Sequence, residues 1–128
     1  MKTIIVIFII LHGLIHLLYF GQSLRYFELQ SGMVWPDGSW LFSRCLSISA
    51  VRMLVGGLCI LITAGFIISG IGMLLNLGWW RLLLVISAAL SLLLFILSWD
   101  EVWQNIDDQG IYSILINIVI LVGSEIFI

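Results

Sequence analysis

Two histidines, His12 and His16, stand four residues apart inside an unbroken apolar run. In a helix that spacing puts both imidazoles on one face. An imidazole can ligate a metal, carry a proton, or donate and accept hydrogen bonds. Other apolar runs are interrupted by Arg52, Ser91 and Asn117, and a carboxylate pair, Asp100 and Glu101, follows the third run. Ionisable groups inside a bilayer are costly and mark candidate functional sites. His12, His16, Arg52, Ser91, Asn117, Asp100 and Glu101 therefore form the candidate ligand-binding set.

Two chemistries fit this set. In the first, Arg52 offers its planar fork to a carboxylate or phosphate. His12, His16 and Asn117 add donors and acceptors, and oily gaps between helices take a tail. A phospholipid, fatty acid or quinone would satisfy both needs. In the second, His12 and His16 hold a divalent metal, with a third ligand from Asp100, Glu101 or Cys59. Gly13, Leu14 and Ile15 fill the gap between the histidines, so there is no His-Glu-x-x-His motif. Arg52 at a similar depth would repel a cation. Two imidazoles on one helix face cannot ligate both sides of a haem iron, so a haem would need two protomers. No nucleophile–base pair stands out, and the reading leans away from an enzyme. The alternative is a metal-dependent membrane enzyme or redox module built on the histidine pair. A purely structural account competes with both: Arg52 snorkels or pairs with Asp100 or Glu101, and the histidines and Asn117 join neighbouring helices.

The elements that must position these residues are helices in a membrane. The chain has 128 residues, of which 62% are hydrophobic and only 9% charged, and its mean hydropathy is +1.24. A soluble domain carries about 25% charged residues. With five basic and seven acidic side chains the chain can neither solvate a globular surface nor present a basic patch to nucleic acid. Each crossing helix needs about 20 apolar residues. Four runs qualify, at about 4–20, 46–70, 82–98 and 111–127. Barrel strands would alternate, and these runs do not. The expected fold is all-α: one transmembrane domain over 1–128, an up-down-up-down four-helix bundle in the cell membrane. The opening run imitates a signal peptide, but no small-residue cleavage site follows it, and it is read as a retained helix.

Each run carries one polar or small stripe. His12, His16, Tyr19 and Ser23 share a face, as do Ser49, Arg52, Gly56, Cys59 and Thr63. The third run has Ser87, Ser91 and Ser98, and the fourth has Ser113, Asn117 and Ser124. Polar stripes of this kind point at one another within a bundle. Counting from the side that carries the long connection, His16 lies roughly 6 Å deep, Arg52 and Asn117 roughly 9 Å, and His12 and Ser91 roughly 12 Å. The expectation is a polar cavity in that half of the membrane, bounded by His12, His16, Arg52 and Asn117, with Asp100 and Glu101 just above.

The connection at 21–45 contains Trp35-Pro36-Asp37-Gly38-Ser39-Trp40, a turn signal flanked by apolar residues. It is expected to lie on the bilayer surface or cap the bundle, with Tyr19, Trp35, Trp40, Trp79 and Trp80 as interfacial anchors. A tight turn is expected near 72–81. Basic residues tie, Lys2 and Arg81 against Arg25 and Arg44, and the reading places both termini in the cytoplasm. Cys45 and Cys59, if on one helix, lie roughly 21 Å apart and cannot pair. Gly65 with Ser69, and Gly57 two turns earlier, suit close helix packing within the bundle, and a homo-oligomer or larger membrane complex is a further expectation.

The run Leu11-His12-Gly13-Leu14-Ile15-His16-Leu17 resembles the first helix of a family of small, uncharacterised prokaryotic membrane proteins with an HGxxH motif. Trp99-Asp100 and Ile116-Asn117-Ile118 are similar to later segments of that family. The resemblance implies a shared four-helix membrane architecture and no particular substrate.

Overall fold

A computed structural model describes residues 2–29, 35–99 and 111–126. Among these the chain is wholly helical: α1 (Lys2–Ser23), α2 (Phe42–Cys45), α3 (Ile48–Leu74), α4 (Trp80–Ser98) and α5 (Ile111–Ile126). Three of them, α1, α3 and α4, are long and apolar enough to cross a membrane. Their outward faces are oily. Ile4, Leu11, Leu61, Leu82, Leu93 and Met53 are all more than half exposed. So much apolar surface would be a liability in water and is the normal exterior of a membrane helix.

The helices begin and end where local chemistry dictates. Ser47 caps α3, its side chain accepting from the Ala50 amide at 3.2 Å. The start of α3 therefore falls two residues later than the apolar run suggests. At its end, Asn76 takes a left-handed backbone, and the Leu77 and Asn76 amides donate to the Gly72 and Met73 carbonyls. This closes the orphan carbonyls of the last turn, with asparagine in the position that glycine usually fills. α1 ends the same way. Arg25 is left-handed, and the Tyr26 and Arg25 amides donate to Gly21 and Gln22. α1 and α3 thus each extend beyond the expected 4–20 and 46–70. The turn between α3 and α4 falls at 75–79, inside the expected interval.

Packing is serial: α1 on α3, α3 on α4, and α4 on α5. Early residues meet late ones at every step. In α1 and α3, Gly13 approaches Phe66, and the Ser23 hydroxyl donates to the Arg52 carbonyl at 2.7 Å. In α3 and α4, Gly65 faces Ser87 and Gly72 faces Trp79 and Trp80. In α4 and α5, Arg81 donates to the Ser124 carbonyl while Ser91 meets Asn117 one helix-half away. Gly13 is needed where it stands, because an added Cβ would come within 2.7 Å of the Phe66 Cβ. The core runs along the seams, from Val6 and Ile9 through Val55, Cys59, Ile62 and Phe66 to Leu84, Ala88 and Phe95.

The connection after α1 caps the bundle and does not merely float on its surface. Trp35 is almost fully buried, stacked on Phe95 and edge-on to Tyr19. Expected as an interfacial anchor, it is instead part of the core. Ser39 Oγ donates to the Leu97 carbonyl at 2.5 Å and Trp40 Nε1 to the Ile96 carbonyl at 2.8 Å. Those carbonyls belong to the last turn of α4, which has no intrahelical donors to offer them. Trp79, by contrast, is exposed at the opposite end, as an interfacial ring should be.

Candidate functional site

His12 lies at the middle of α1, and His16 one turn nearer the capped end. Both rings turn inward, because Val6, Ile9, His12, Gly13 and His16 make up the buried stripe of α1. Ser91 is on the buried stripe of α4, and Asn117 on the buried face of α5. All four side chains are removed from solvent. They reach across from three helices to form one network.

The direction of every bond in it follows from donor and acceptor chemistry. His16 Nδ1 lies 3.0 Å from the His12 carbonyl oxygen. A carbonyl only accepts, so this nitrogen carries the proton. His16 Nε2, 2.6 Å from Ser91 Oγ, then takes the hydroxyl proton. With its proton committed, Ser91 Oγ accepts from Asn117 Nδ2 at 2.7 Å. The remaining amide atom, Asn117 Oδ1, accepts from His12 Nε2 at 2.8 Å. The circuit runs His12, Asn117, Ser91, His16 and back to the His12 carbonyl. A second proton on His16 would leave the Ser91 hydroxyl with nothing to donate to within the circuit. A second proton on His12 Nδ1 would bury a charge with no acceptor among the described residues, so both imidazoles are neutral, in opposite tautomers.

One atom is left over. His12 Nδ1 bears a lone pair and has no hydrogen-bond partner among the described residues. Trp35 Nε1 and Ser113 Oγ share that condition nearer the capped end. The His12 ring is held in place on other sides. It sits edge-on to Phe66 at 4.9 Å and to His16 at 5.1 Å between centroids.

The expected site is thus partly assembled and partly not. The structure brings His12, His16, Ser91 and Asn117 together, but they close on one another and do not line an open polar cavity. Arg52 does not join them. Its Nε and Nη2 donate to the two carboxylate oxygens of Asp37 at 2.8 and 2.6 Å. Both imidazoles pack on Phe66, fourteen residues further along α3, which is roughly 21 Å at 1.5 Å per residue. Depth estimates made from the ends of the apolar runs hid this separation. α1 is longer than its run, so the histidines lie deeper than expected, while Arg52 lies near the start of its helix. Asp100 and Glu101 lie outside the described residues.

Asp37 is the residue of the capped end that spacing did not find. It also pairs with Arg25 at 3.0 Å. Arg25 Nη1 in turn donates to the Gln22 and Trp35 carbonyls at 2.6 and 2.8 Å. Gln22 is fully buried and holds the loop from both ends of its amide, donating to the Trp35 carbonyl at 3.2 Å and accepting from the Leu29 amide at 2.9 Å. These residues strap the cap to α1 and α3. The Pro-Asp-Gly sequence announced a turn but not the ion pairs that its aspartate would make.

Among the described residues no three His, Cys, Asp or Glu side chains converge. Both nitrogens of His16 are occupied by protein partners. Cys59 is buried and free in α3, and Cys45 is exposed and free at the end of α2.

An apolar cleft of about 200 Å³ lies between α1, α4 and α5, with none of the four network residues in its lining. Ile5, Phe8 and Ile9 line it from α1, and Val119, Ile120 and Gly123 from α5. Those residues are one to two turns from His12 and Asn117, on the side away from the cap. An added Cβ at Gly123 would meet nothing within 4 Å, so this position leaves the cleft open. The chain matches no protein-family model, no curated protein and no solved structure.

Proposed function

We propose that this is an integral membrane protein that binds an amphiphile between α1 and α5. In this reading α1, α3, α4 and α5 cross the cell membrane up-down-up-down, with both termini in the cytoplasm. α5, with 16 described residues, reaches about 24 Å, shorter than a hydrocarbon core of about 30 Å, and in this reading the bilayer thins locally to meet it. The resemblance of the His12–His16 run to small four-helix membrane proteins fits the same architecture.

The observation that carries the binding reading is the apolar cleft one turn from a buried polar network. A cavity of about 150 Å³ lined by aliphatic and aromatic residues is enough to take up a benzene molecule. The cleft here has room for a comparable length of alkyl or isoprenoid chain. Polar groups flank it on both sides: the His12–Asn117 couple toward the cap, and Arg81, which bonds the Ser124 carbonyl, toward the other end. The protein acts as a binding or accessory component: the Ser91 hydroxyl and the His16 imidazole beside it are both fully buried and closed within the network.

The test is native mass spectrometry of the purified full chain, followed by solvent extraction of what it retains. A stoichiometric apolar small molecule is expected in the wild type. Gly123→Leu fills the cleft from α5 without touching the network, and retention is expected to fall at least tenfold. Equal retention in the two proteins overturns the reading.

A further inference from the structure

The cleft between α1, α4 and α5 has a cation at one end, and that cation selects the head of its occupant. This inference rests on the cleft reading above and goes one step further, to the chemistry of the ligand.

The buried network is not the point of recognition. His12, His16, Ser91 and Asn117 bond to one another, and none of them lines the cleft. Arg81 stands at the opposite end. It lies one turn before Leu84 on α4, and it donates to the carbonyl of Ser124, the residue after Gly123 on α5. Leu84 and Gly123 both line the cleft. Helix carbonyls point toward the C-terminus, so the guanidinium sits just beyond the lining, on the side away from the cap. The Arg81 side chain also lines a groove with Gly78, Leu82 and Val85, which leaves it open to an incoming group.

Charge decides the class of head. The Ser124 carbonyl satisfies one N–H of Arg81 and leaves the positive charge uncompensated. Among the described residues the ion pairs are those of Asp37 with Arg25 and Arg52, at the capped end. Lys2 donates to Asn76 in the α3–α4 turn and adds a second positive charge at the Arg81 end. Glu125 follows Ser124, and its side chain lies outside the described residues. With Glu125 counted, the side chains of this end still sum to one positive charge. A guanidinium carries five donors in a planar fork that fits a carboxylate two bonds at a time. With one Nη2 hydrogen on Ser124, one such pair of donors remains whole.

The lining decides between anions. From Ile5 and Phe8 to Val119 and Gly123 it offers no polar side chain. A phospholipid places glycerol and ester oxygens between its phosphate and its chains, and here those oxygens would lie against apolar residues without donors. A fatty acid has no polar atom beyond its carboxylate, so its chain enters the cleft directly from the head. α1 packs on α3 and α5 on α4, and the seam between α1 and α5 leaves the far end of the chain a way out to the lipid.

We infer that the cleft takes a long-chain fatty acid in its ionised form, its carboxylate on the Arg81 guanidinium and its first carbons against Gly123, Leu84 and Ile5.

Palmitate and methyl palmitate share a chain and differ in charge, which makes the pair a clean probe. The full chain is loaded in detergent with palmitate, methyl palmitate or dioleoylphosphatidylglycerol in turn, at a pH where palmitate is ionised, and retention is read by native mass spectrometry. Palmitate is expected to be retained about tenfold more than either of the others, the ratio supplied by a hydrogen bond to a charged group. Arg81→Gln keeps an amide donor for the Ser124 carbonyl and removes the charge. Palmitate retention should then fall about tenfold, to the level of the ester, while the ester is unaffected. Equal retention of palmitate and its ester in the wild type, retention of the phospholipid above palmitate, or a palmitate preference that survives Arg81→Gln overturns the inference. If Arg81→Gln does not fold, the ¹³C resonance of carboxyl-labelled palmitate on the wild type decides. A neighbouring guanidinium favours the carboxylate, so bound palmitate should stay ionised to lower pH than palmitate in protein-free micelles, and identical titration overturns the inference. Gly123→Leu separates the two levels of argument. If palmitate and its ester are retained equally and Gly123→Leu abolishes both, the cleft reading stands and only the head chemistry fails. If Gly123→Leu changes neither, both fail.

Discussion

The four side chains of the central network are worth more as a circuit than as separate bonds. Interhelical hydrogen bonds in membranes average only about 0.6 kcal/mol each by double-mutant cycles. A group stranded without a partner costs more, about 1–3 kcal/mol. Asn117→Leu strands two groups at once, the Nε2 proton of His12 and one acceptor site of Ser91. The stranding term should dominate, and the variant is expected to lose about 2–4 kcal/mol in reversible unfolding in detergent. A loss under 0.5 kcal/mol would mean that the circuit relaxes at little cost. The tautomers can be read directly. Histidine-selective ¹⁵N spectra of the wild type should show a protonated Nδ1 for His16 and a protonated Nε2 for His12, with the other nitrogen of each bare. Matching tautomers would contradict the bond directions argued above. From the sequence, the membership of His12, His16, Ser91 and Asn117 was legible because each is the polar break in an apolar run. Their mutual closure was not, since spacing fixes a helix face but not what stands across from it. Arg52 shows the limit. It shares a stripe with Cys59 and Thr63, yet its long side chain leaves that stripe for Asp37, a residue on a loop with no periodicity to read.

At the scale of the helix, close approach is bought with glycine at some seams and not at others. Gly13 and Gly57 are both mid-helix glycines, and replacing either by alanine should add intrinsic helix stability of up to about 1 kcal/mol. Their surroundings differ. A Cβ at Gly13 meets the Phe66 Cβ at 2.7 Å, an atom fixed to the backbone of α3, whereas Gly57 looks out on open space. Overpacking of a tight seam costs about 1–3 kcal/mol. Gly13→Ala is therefore expected to be destabilising by about 1–2 kcal/mol net, and Gly57→Ala to be neutral or slightly stabilising. Thermal unfolding of the two variants side by side in one detergent checks the ranking, and the reverse order would refute the α1–α3 seam as described. Gly65 is an intermediate case, because its nearest neighbour is the Ser87 hydroxyl. The sequence grouped Gly57 with Gly65 and Ser69 as packing residues of the bundle. Gly65 packs on α4 as expected, but Gly57 faces outward. Small residues mark where a helix can come close, and the register of the neighbour determines which of them it uses. The helices themselves were easy to read, since runs of apolar residues long enough for a bilayer admit no other regular structure. Their ends were harder, because caps such as Ser47 and Asn76 act through side-chain and backbone bonds that hydropathy ignores.

For the whole molecule, orientation in the membrane reduces to one cysteine. Contacts near the helix ends join the start of one helix to the end of its neighbour. Lys2 donates to the Asn76 side chain, and Arg81 donates to the Ser124 carbonyl. These contacts put the start of α1, the α3–α4 turn and the end of α5 at one end of the molecule. Asp37, Arg25, Arg52 and the short α2 gather at the other. Basic residues divide almost evenly, Lys2 and Arg81 against Arg25, Arg44 and Arg52, and acids contribute little to topology. Cys45 decides the matter. It is exposed on α2 at the capped end, while Cys59 is buried in the α1–α3 seam. If the termini are cytoplasmic, a membrane-impermeant maleimide added to intact cells should label the chain once, and Cys45→Ser should abolish the labelling. Cys59→Ser should leave it unchanged. Labelling confined to inside-out vesicles would keep the fold and reverse its orientation. Labelling at Cys59 in the folded chain would be more serious. It would place that residue on an exposed surface and undo the packing of α1 on α3, and with it the alignment of His12 against Phe66 on which the network depends.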